Sequence, residues 1–486
     1  MPTSAPRAVP TRRRVSRLVT SLTALVSVAV CVPLVASAQE VDPVDPVTTT
    51  DPGTPTDPDT PTDPDTPTAP PLAKVTAYAV RISPPLPEDL VSIYDSGALD
   101  ASTRDRALAA ARQAGAQATV RDAASIGMTR VERGGATVQA APTGYAFPMG
   151  TTVMEADGIR ALMGDAVVDR LDPETIVMGS LTASLRGAVT GDEVLLVAAW
   201  GGQVRYTISV VDDTAIGGTE LLMTPGAAAR IGLDRDSSVV LWGFERAALD
   251  RALADQGLIS TRIRVRRSWD PADPDSTLGM AETKALLGEF SYRPGSNGWV
   301  AVSDTWRRTY VPDSRRLLNP TVAIRARCHT VIEPALRDAF AEVVAAGVGW
   351  TFNVSDANTA GGCYAPRFNR LSSNSSIGFL SRHTWAMAID TNTRGSCQGC
   401  APPDLDCRAV RIFRKHGFAW GGNFLTPDGM HFEYVGERRD LLPYPSRFCR
   451  NEVSPGSPLL DGEPLPVEET ERATLFSDSG LVSESH

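Results

Sequence analysis

The chain has 486 residues, 42% of them apolar, enough for two or three domains with packed cores, which excludes a wholly disordered protein. Its 57 acidic residues against 47 basic ones give a net charge of -10. The basic residues gather into no stripe, which argues against a nucleic-acid partner.

Arg12, Arg13, Arg14 and Arg17 precede an apolar stretch from Leu18 to Val35 and the small residues Ala36, Ser37 and Ala38. Residues 1–38 therefore read as an export signal cleaved after Ala38, leaving no stable membrane span. Thr20, Ser21, Thr23 and Ser27 interrupt the stretch and argue against a retained anchor, and Val30 before Cys31 argues against a lipid anchor. Residues 39–73 collapse to Asp, Pro and Thr, with the hexapeptide Thr-Asp-Pro-Asp-Thr-Pro at 56–61 and again at 62–67. Such a segment buries no apolar area, and its prolines and like charges make it a semi-rigid tether.

Residues 74–275 read as a strand-rich mixed domain of unknown role. Val194 to Trp200 and Val204 to Val211 flank Gly201 and Gly202 as a hairpin, and Ser238 to Phe244 reads as another strand. Helical spacing runs over Ala101 to Gln113 and Arg246 to Asp255. The region has neither Cys nor His, so no metal or nucleophile constellation emerges.

A second domain, residues 276–450, follows the Pro and Asp cluster at 271–275. Leu336, Phe340, Val343 and Val344 share one face of a helix predicted over Pro334 to Ala346, and Leu405 to His416 reads as a second helix ending before Gly417. With short extended pieces between and after them, the fold class is α+β: a small antiparallel sheet flanked by helices, behind the strand-rich domain. The tail, 451–486, is rich in Pro, Ser and Glu and reads as disordered.

The chemistry concentrates in two stretches, Ser381 to Asp390 and Trp420 to Glu433. On one continuous helix His383 and Asp390 would lie on one face but roughly 10 Å apart, too far to share a zinc ion. From Trp385 to Asp390 apolar and small residues alternate, which predicts a strand, with His383 before a bend that turns it back toward Asp390. Asp428 and His431 lie three apart across Pro427 and Gly429, and His431 and Glu433 point the same way from a strand. Zinc catalysis needs three protein ligands, an open position for water and a carboxylate to take a proton. His383, Asp390 and His431 supply the ligands, and Asp428 the base.

These stretches resemble the zinc D-alanyl-D-alanine carboxypeptidases and L-alanyl-D-glutamate endopeptidases, peptidoglycan peptidases that include VanY-like enzymes and phage endolysins. The match lies in Ser381-x-His383, then Ala388-x-Asp390, then Trp420-Gly421-Gly422, and Asp428-x-x-His431-Phe432-Glu433; it extends back through Gly361 to Arg367 and covers roughly 280 to 450. The resemblance implies zinc on His383, Asp390 and His431, Asp428 as general base, Arg367 near the substrate carbonyl or carboxylate, and Ser381 and Glu433 orienting the ligands. It implies stem peptides of peptidoglycan as the substrate and a secreted, wall-associated location. Ala386 stands where the family usually has glycine, and Phe424 where tryptophan is frequent.

Seven cysteines are present, and Cys31 leaves with the signal. Cys328, Cys363, Cys397, Cys400, Cys407 and Cys449 remain, an even count that favours disulfides in an exported protein and leaves fifteen pairings open. The rival is a structural zinc on Cys397, Cys400, Cys407 and His416. Two function classes follow: a zinc peptidase acting on stem peptides, or a non-catalytic wall-binding or scaffolding protein that keeps the peptidase fold.

Overall fold

β-branched and alternating segments dominate the first half of the chain, and they assemble into one large sheet. The computed structural model describes residues 83–95, 99–213, 219–233, 236–260, 262–312, 315–319, 322–352, 361–369 and 378–452. The segments read from the sequence as an export signal and a tether, with Cys31 and the repeat, and the tail from 453 lie outside the described residues.

Among the described residues ten strands share a mixed sheet: β1 (Leu90–Tyr94), β2 (Gln117–Arg133), β3 (Ala136–Ala140), β4 (Phe147–Met154), β5 (Thr175–Met178), β6 (Glu193–Val197), β7 (Gln203–Val211), β8 (Leu221–Met223), β9 (Asp236–Trp242) and β10 (Arg264–Arg267). The long β2 is the spine and pairs antiparallel with β3, β4, β6 and β9 along its length. At one edge β10 pairs with β1. The hairpin at Gly201 forms, but its first strand stops at Val197 rather than running to Trp200. There the chain turns, with the Gly201 N–H donating to the Ala198 carbonyl at 2.8 Å, and Trp200 is left 65% exposed.

Helix α1 (Ala101–Ala114) starts where the Asp100 carboxylate accepts the Thr103 N–H. Four short helices follow: α2 (Ala156–Met163), α3 (Asp165–Val168), α4 (Ser180–Arg186) and α5 (Pro225–Ala229). α6 (Arg246–Asp255) lies beside α1, and together Ala107, Ala110, Leu249 and Leu253 cover Val91, Ile93, Val239 and Leu241 of the sheet.

The rest mixes helices with small antiparallel pairings. α7 (Met280–Leu287) precedes the hairpin of β11 (Tyr292–Pro294) and β12 (Val300–Val302). α8 (Asp304–Tyr310) precedes that of β13 (Arg315–Asn319) and β14 (Val322–Ala326). α9 (Glu333–Ala345) carries Leu336, Phe340 and Val343 into the core. β15 (Ala388–Asp390), α10 (Cys407–Lys415), β16 (Phe418–Trp420) and β17 (His431–Tyr434) complete the region, and β17 lies between β15 and β16 in a three-stranded sheet. α10 begins two residues later than Leu405, because the Asp406 carboxylate accepts the Arg408 N–H and caps the helix there. Phe340, Phe413, Phe418 and Phe432 fill the space between α9, α10 and this sheet, with Trp385 and Trp420 buried in the same core. Among the described residues no helix is long and apolar enough to cross a membrane.

Buried polar contacts tie the large sheet to the region after it. The Lys284 ammonium on α7 lies 2.8 and 2.9 Å from the two Glu220 oxygens and also reaches the Pro148 carbonyl, while Arg186 of α4 pairs with Glu289. Asp275, in the Pro and Asp cluster, is buried as well. It accepts the Arg414 Nε–H at 2.9 Å, the Trp420 N–H at 3.0 Å and the Asn423 amide at 2.7 Å. Disulfides join Cys328 to Cys363, Cys397 to Cys400 and Cys407 to Cys449. That pairing removes the donors of a structural zinc site there, and His416 instead meets Glu342 at 2.8 Å.

Candidate metal centre

His383 lies in a turn, not a strand. The Ser381 hydroxyl accepts the His383 N–H, and a single 3-10 turn runs from Arg382 to Trp385. At Ala386 the backbone passes through left-handed space, φ 52° and ψ 28°, before β15 carries Asp390. The predicted strand over Trp385 to Asp390 is thus confined to Ala388–Asp390, and Ala386 makes the bend that the sequence required. Alternation misled because Trp385, Met387 and Ile389 are all buried, along with the alanines between them, so the pattern records a closed core rather than two faces.

Asp390 pairs in register with His431 across β15 and β17. The His383 Nε2 lies 3.1 Å from Asp390 Oδ1, and the His431 Nδ1 lies 3.2 Å from the same oxygen. The imidazole rings meet nearly edge to face, centroids 5.1 Å apart. Ligand atoms from all three residues fall within 4.8 Å of one another, close enough to surround one ion. The donor set fits zinc in its chemistry too. His383 Nδ1–H donates to the Cys363 carbonyl at 2.9 Å, which leaves Nε2 with its lone pair toward the cluster.

The electrostatics agree. Burial opposes the charge of Asp390, but the two imidazoles outweigh it and hold its pKa well below the usual carboxylate range. Burial also opposes the charged form of His431, yet Asp390, Glu433 and the more distant Asp428 push its pKa up to about 10. A positive charge is therefore favoured in the space between these residues.

Asp428 is buried on the turn before β17. Its N–H donates to the Gly421 carbonyl at 2.8 Å, and its own carbonyl accepts the His431 N–H at 3.1 Å. Glycine is required at 421, since a Cβ there would stand 2.6 Å from the Asp428 carbonyl oxygen. The Cys397–Cys400 loop braces this turn: the Gly399 N–H donates to Pro427 at 2.7 Å, and Gln398 pairs with Asp428 as a β-bridge. Phe424 walls the site, its ring 6.1 Å from that of His431.

Residues 361–367 form the floor. The Cys328–Cys363 bridge fixes the carbonyl that holds His383, and Gly361, at φ 62°, lies so close to Asp390 that a Cβ would come within 2.2 Å of its carbonyl oxygen. Arg367 joins this floor to the His383 turn: its carbonyl accepts the Ser381 N–H, and its N–H donates to the Thr384 hydroxyl. The Arg367 guanidinium donates to the Phe368 carbonyl at 3.2 Å. Glu433 is buried, with one oxygen 3.5 Å from His431 Nε2 and the other 3.3 Å from Arg382 Nε. Sequence reasoning missed Asp275, which anchors Trp420 and Asn423, and Arg382. The one took on the appearance of a domain boundary, and the other of an ordinary charged residue.

Two histidines and an aspartate facing one another, with the buried Asp428 on the neighbouring turn, form a group that could hold a metal ion. A family model described as D-alanyl-D-alanine carboxypeptidase matches residues 374–434, a segment that contains His383, Asp390, Asp428, His431 and Glu433. The match agrees with the resemblance read from the motifs of the C-terminal region. No curated protein matches the chain.

Proposed function

We propose that the chain is an exported zinc peptidase that hydrolyses peptidoglycan stem peptides, as a D-Ala-D-Ala carboxypeptidase or an L-Ala-D-Glu endopeptidase. The observation that carries the proposal is the approach of His383, Asp390 and His431 ligand atoms to within 4.8 Å, inside a segment matched by a carboxypeptidase family model. In this reading residues 1–38 direct export, 39–73 form a tether, 74–275 and 276–450 are two domains, and the second carries the reaction.

Zinc, when bound by His383, Asp390 and His431, supplies the Lewis acidity that makes water nucleophilic near neutral pH and polarises a carbonyl. Asp428 takes the proton of the attacking water on its carboxylate and returns it to the leaving amine. Arg367 meets the substrate carbonyl or carboxylate and stabilises negative charge that develops there. Ser381 holds the backbone of His383, and Glu433 faces the far nitrogen of His431, so both orient ligands.

The test is zinc content and stem-peptide cleavage by the full chain and by Asp428→Ala, with fragments identified by mass spectrometry. Expected are one zinc per chain in both proteins and a fall in turnover of roughly 100-fold or more in the variant. Stoichiometric zinc with unchanged turnover would reject Asp428 as the base, and zinc binding without any turnover of the native protein would favour the non-catalytic wall-binding reading.

A further inference from the structure

Arg382 is adjacent to His383 but its side chain runs the other way, into the protein, where it is 1% exposed. Its Nη1–H donates to the Thr283 hydroxyl at 3.0 Å, Nη2–H donates to the Leu278 carbonyl, and Nε lies 3.3 Å from Glu433 Oε1. Burying a guanidinium costs several kcal/mol unless it is paired, so a position needing only bulk would hold an apolar residue. The planar fork instead donates two hydrogen bonds through its Nη atoms and sets its Nε against a carboxylate as an ion pair. Leu278 lies just before the Gly279 N-cap of α7 and Thr283 in its first turn, and the paired carboxylate is on β17.

We propose that Arg382 is a positioning residue that fixes the Glu433 carboxylate and, through it, the ring of His431. The proposal rests on the reading of His431 as a metal ligand. Glu433 has no exposure, and its second oxygen is 3.5 Å from His431 Nε2, on the side opposite the Asp390 contact at Nδ1. A carboxylate at Nε2 sets which way the ring points its other nitrogen. At that long separation the carboxylate's own position decides whether the contact orients the ring, and Arg382 holds that position. α7 is itself fastened to the large sheet at the next residue, where Lys284 is buried against Glu220 and the Pro148 carbonyl. The large sheet thereby braces the metal centre through one helix and one arginine.

The test uses the full chain with Arg382→Met, Arg382→Lys, Glu433→Gln and the Arg382→Met/Glu433→Gln double variant. Zinc affinity is measured by chelator competition, and ligand geometry by the visible spectrum of the cobalt-substituted protein. Arg382→Met and Glu433→Gln should each weaken zinc roughly 10- to 100-fold and alter the cobalt bands. Arg382→Lys should not rescue, because a point ammonium cannot reach both acceptors and the Glu433 carboxylate at once. The double variant should bind no more weakly than the worse single variant. Losses that multiply, or an Arg382→Met protein with native zinc affinity and an unchanged cobalt spectrum, overturn the proposal. Should Arg382→Met fail to fold, Thr283→Val decides: it keeps the shape, removes one hold on the guanidinium, and should weaken zinc about fivefold with shifted cobalt bands. Native values in that variant overturn the proposal. A native protein that binds neither zinc nor cobalt overturns the reading of the site itself, whereas native metal binding with unaffected variants overturns the role of Arg382 alone.

Discussion

The Ala386 carbonyl accepts the N–H of His329 at 3.0 Å, and this bond closes the left-handed bend that brings His383 back over Asp390. An alanine at φ 52° holds a conformation that costs an L-residue about 1 kcal/mol and that glycine adopts freely. Ala386→Gly should therefore leave stability unchanged or raise it by up to about 1 kcal/mol, with native zinc content. Ala386→Val adds a β-branched side chain to a fully buried site in left-handed space and should destabilise by about 2 kcal/mol or more. Urea midpoints and zinc content of the two variants check this, and a valine variant as stable as the native protein would refute the bend as a constraint.

His329 makes the same bend sensitive to acid. Its ring is buried and stacked on Tyr310, Nε2–H donates to the Leu287 carbonyl at 3.0 Å, and Nδ1 accepts the Val331 N–H at 3.2 Å. Burial pushes its pKa down to about 4, against an opposing pull from the Leu287 carbonyl. The unfolded chain, with a histidine pKa near 6.5, takes up the proton first. Stability is therefore full above pH 6.5, falls as the pH drops from 6.5 toward 4, and loses about 3 kcal/mol in all from this residue. Urea midpoints at pH 7 and pH 4.5 should differ more for the native protein than for His329→Gln; parallel losses in both would exclude His329 as the source.

The candidate metal site carries its own pH signature. Without metal, His431 holds a proton up to about pH 10, because its carboxylate neighbours outweigh burial. This folded pKa lies above the unfolded value, so the stabilisation is complete below pH 6.5 and is lost as the pH rises through about 10. Zinc must displace that proton, and binding at pH 7.5 should release about one proton per ion. Titration calorimetry in phosphate and in Tris buffers measures this directly. Equal heats in the two buffers would show that no proton leaves.

How much of this was legible in the sequence depends on how far each residue reaches. The convergence of His383, Asp390 and His431 was legible because each is a residue type that binds metal and each sits in a short motif. The need for a bend also followed from strand geometry. Its position did not, since alanine has no preference for left-handed space and only the surrounding packing forces it there. Helix α6 was read to the residue, because its apolar spacing is local. Arg382 and Asp275 were invisible for the opposite reason: their partners are Thr283, 99 positions away, and Arg414, 139 positions away. No local pattern encodes such contacts.

Asp275 supplies the strongest test of that long-range support. One of its oxygens accepts Arg414 Nε–H and the Trp420 N–H, and the other accepts Arg414 Nη2–H and the Asn423 amide. All four partners are donors, so an asparagine would turn an amide against at least one of them and leave the buried Arg414 without its countercharge. Asp275→Asn should cost about 3 kcal/mol of stability. It should also loosen the Gly421–Asn423 turn, whose Gly421 carbonyl accepts the Asp428 N–H. Zinc content should survive, since none of the three proposed ligands touches Asp275, while turnover falls if Asp428, the proposed base, is misplaced. Chemical denaturation, zinc analysis and stem-peptide cleavage on the same preparation separate these effects. Loss of zinc in proportion to turnover would mean that Asp275 supports the whole pocket rather than the turn that carries Asp428.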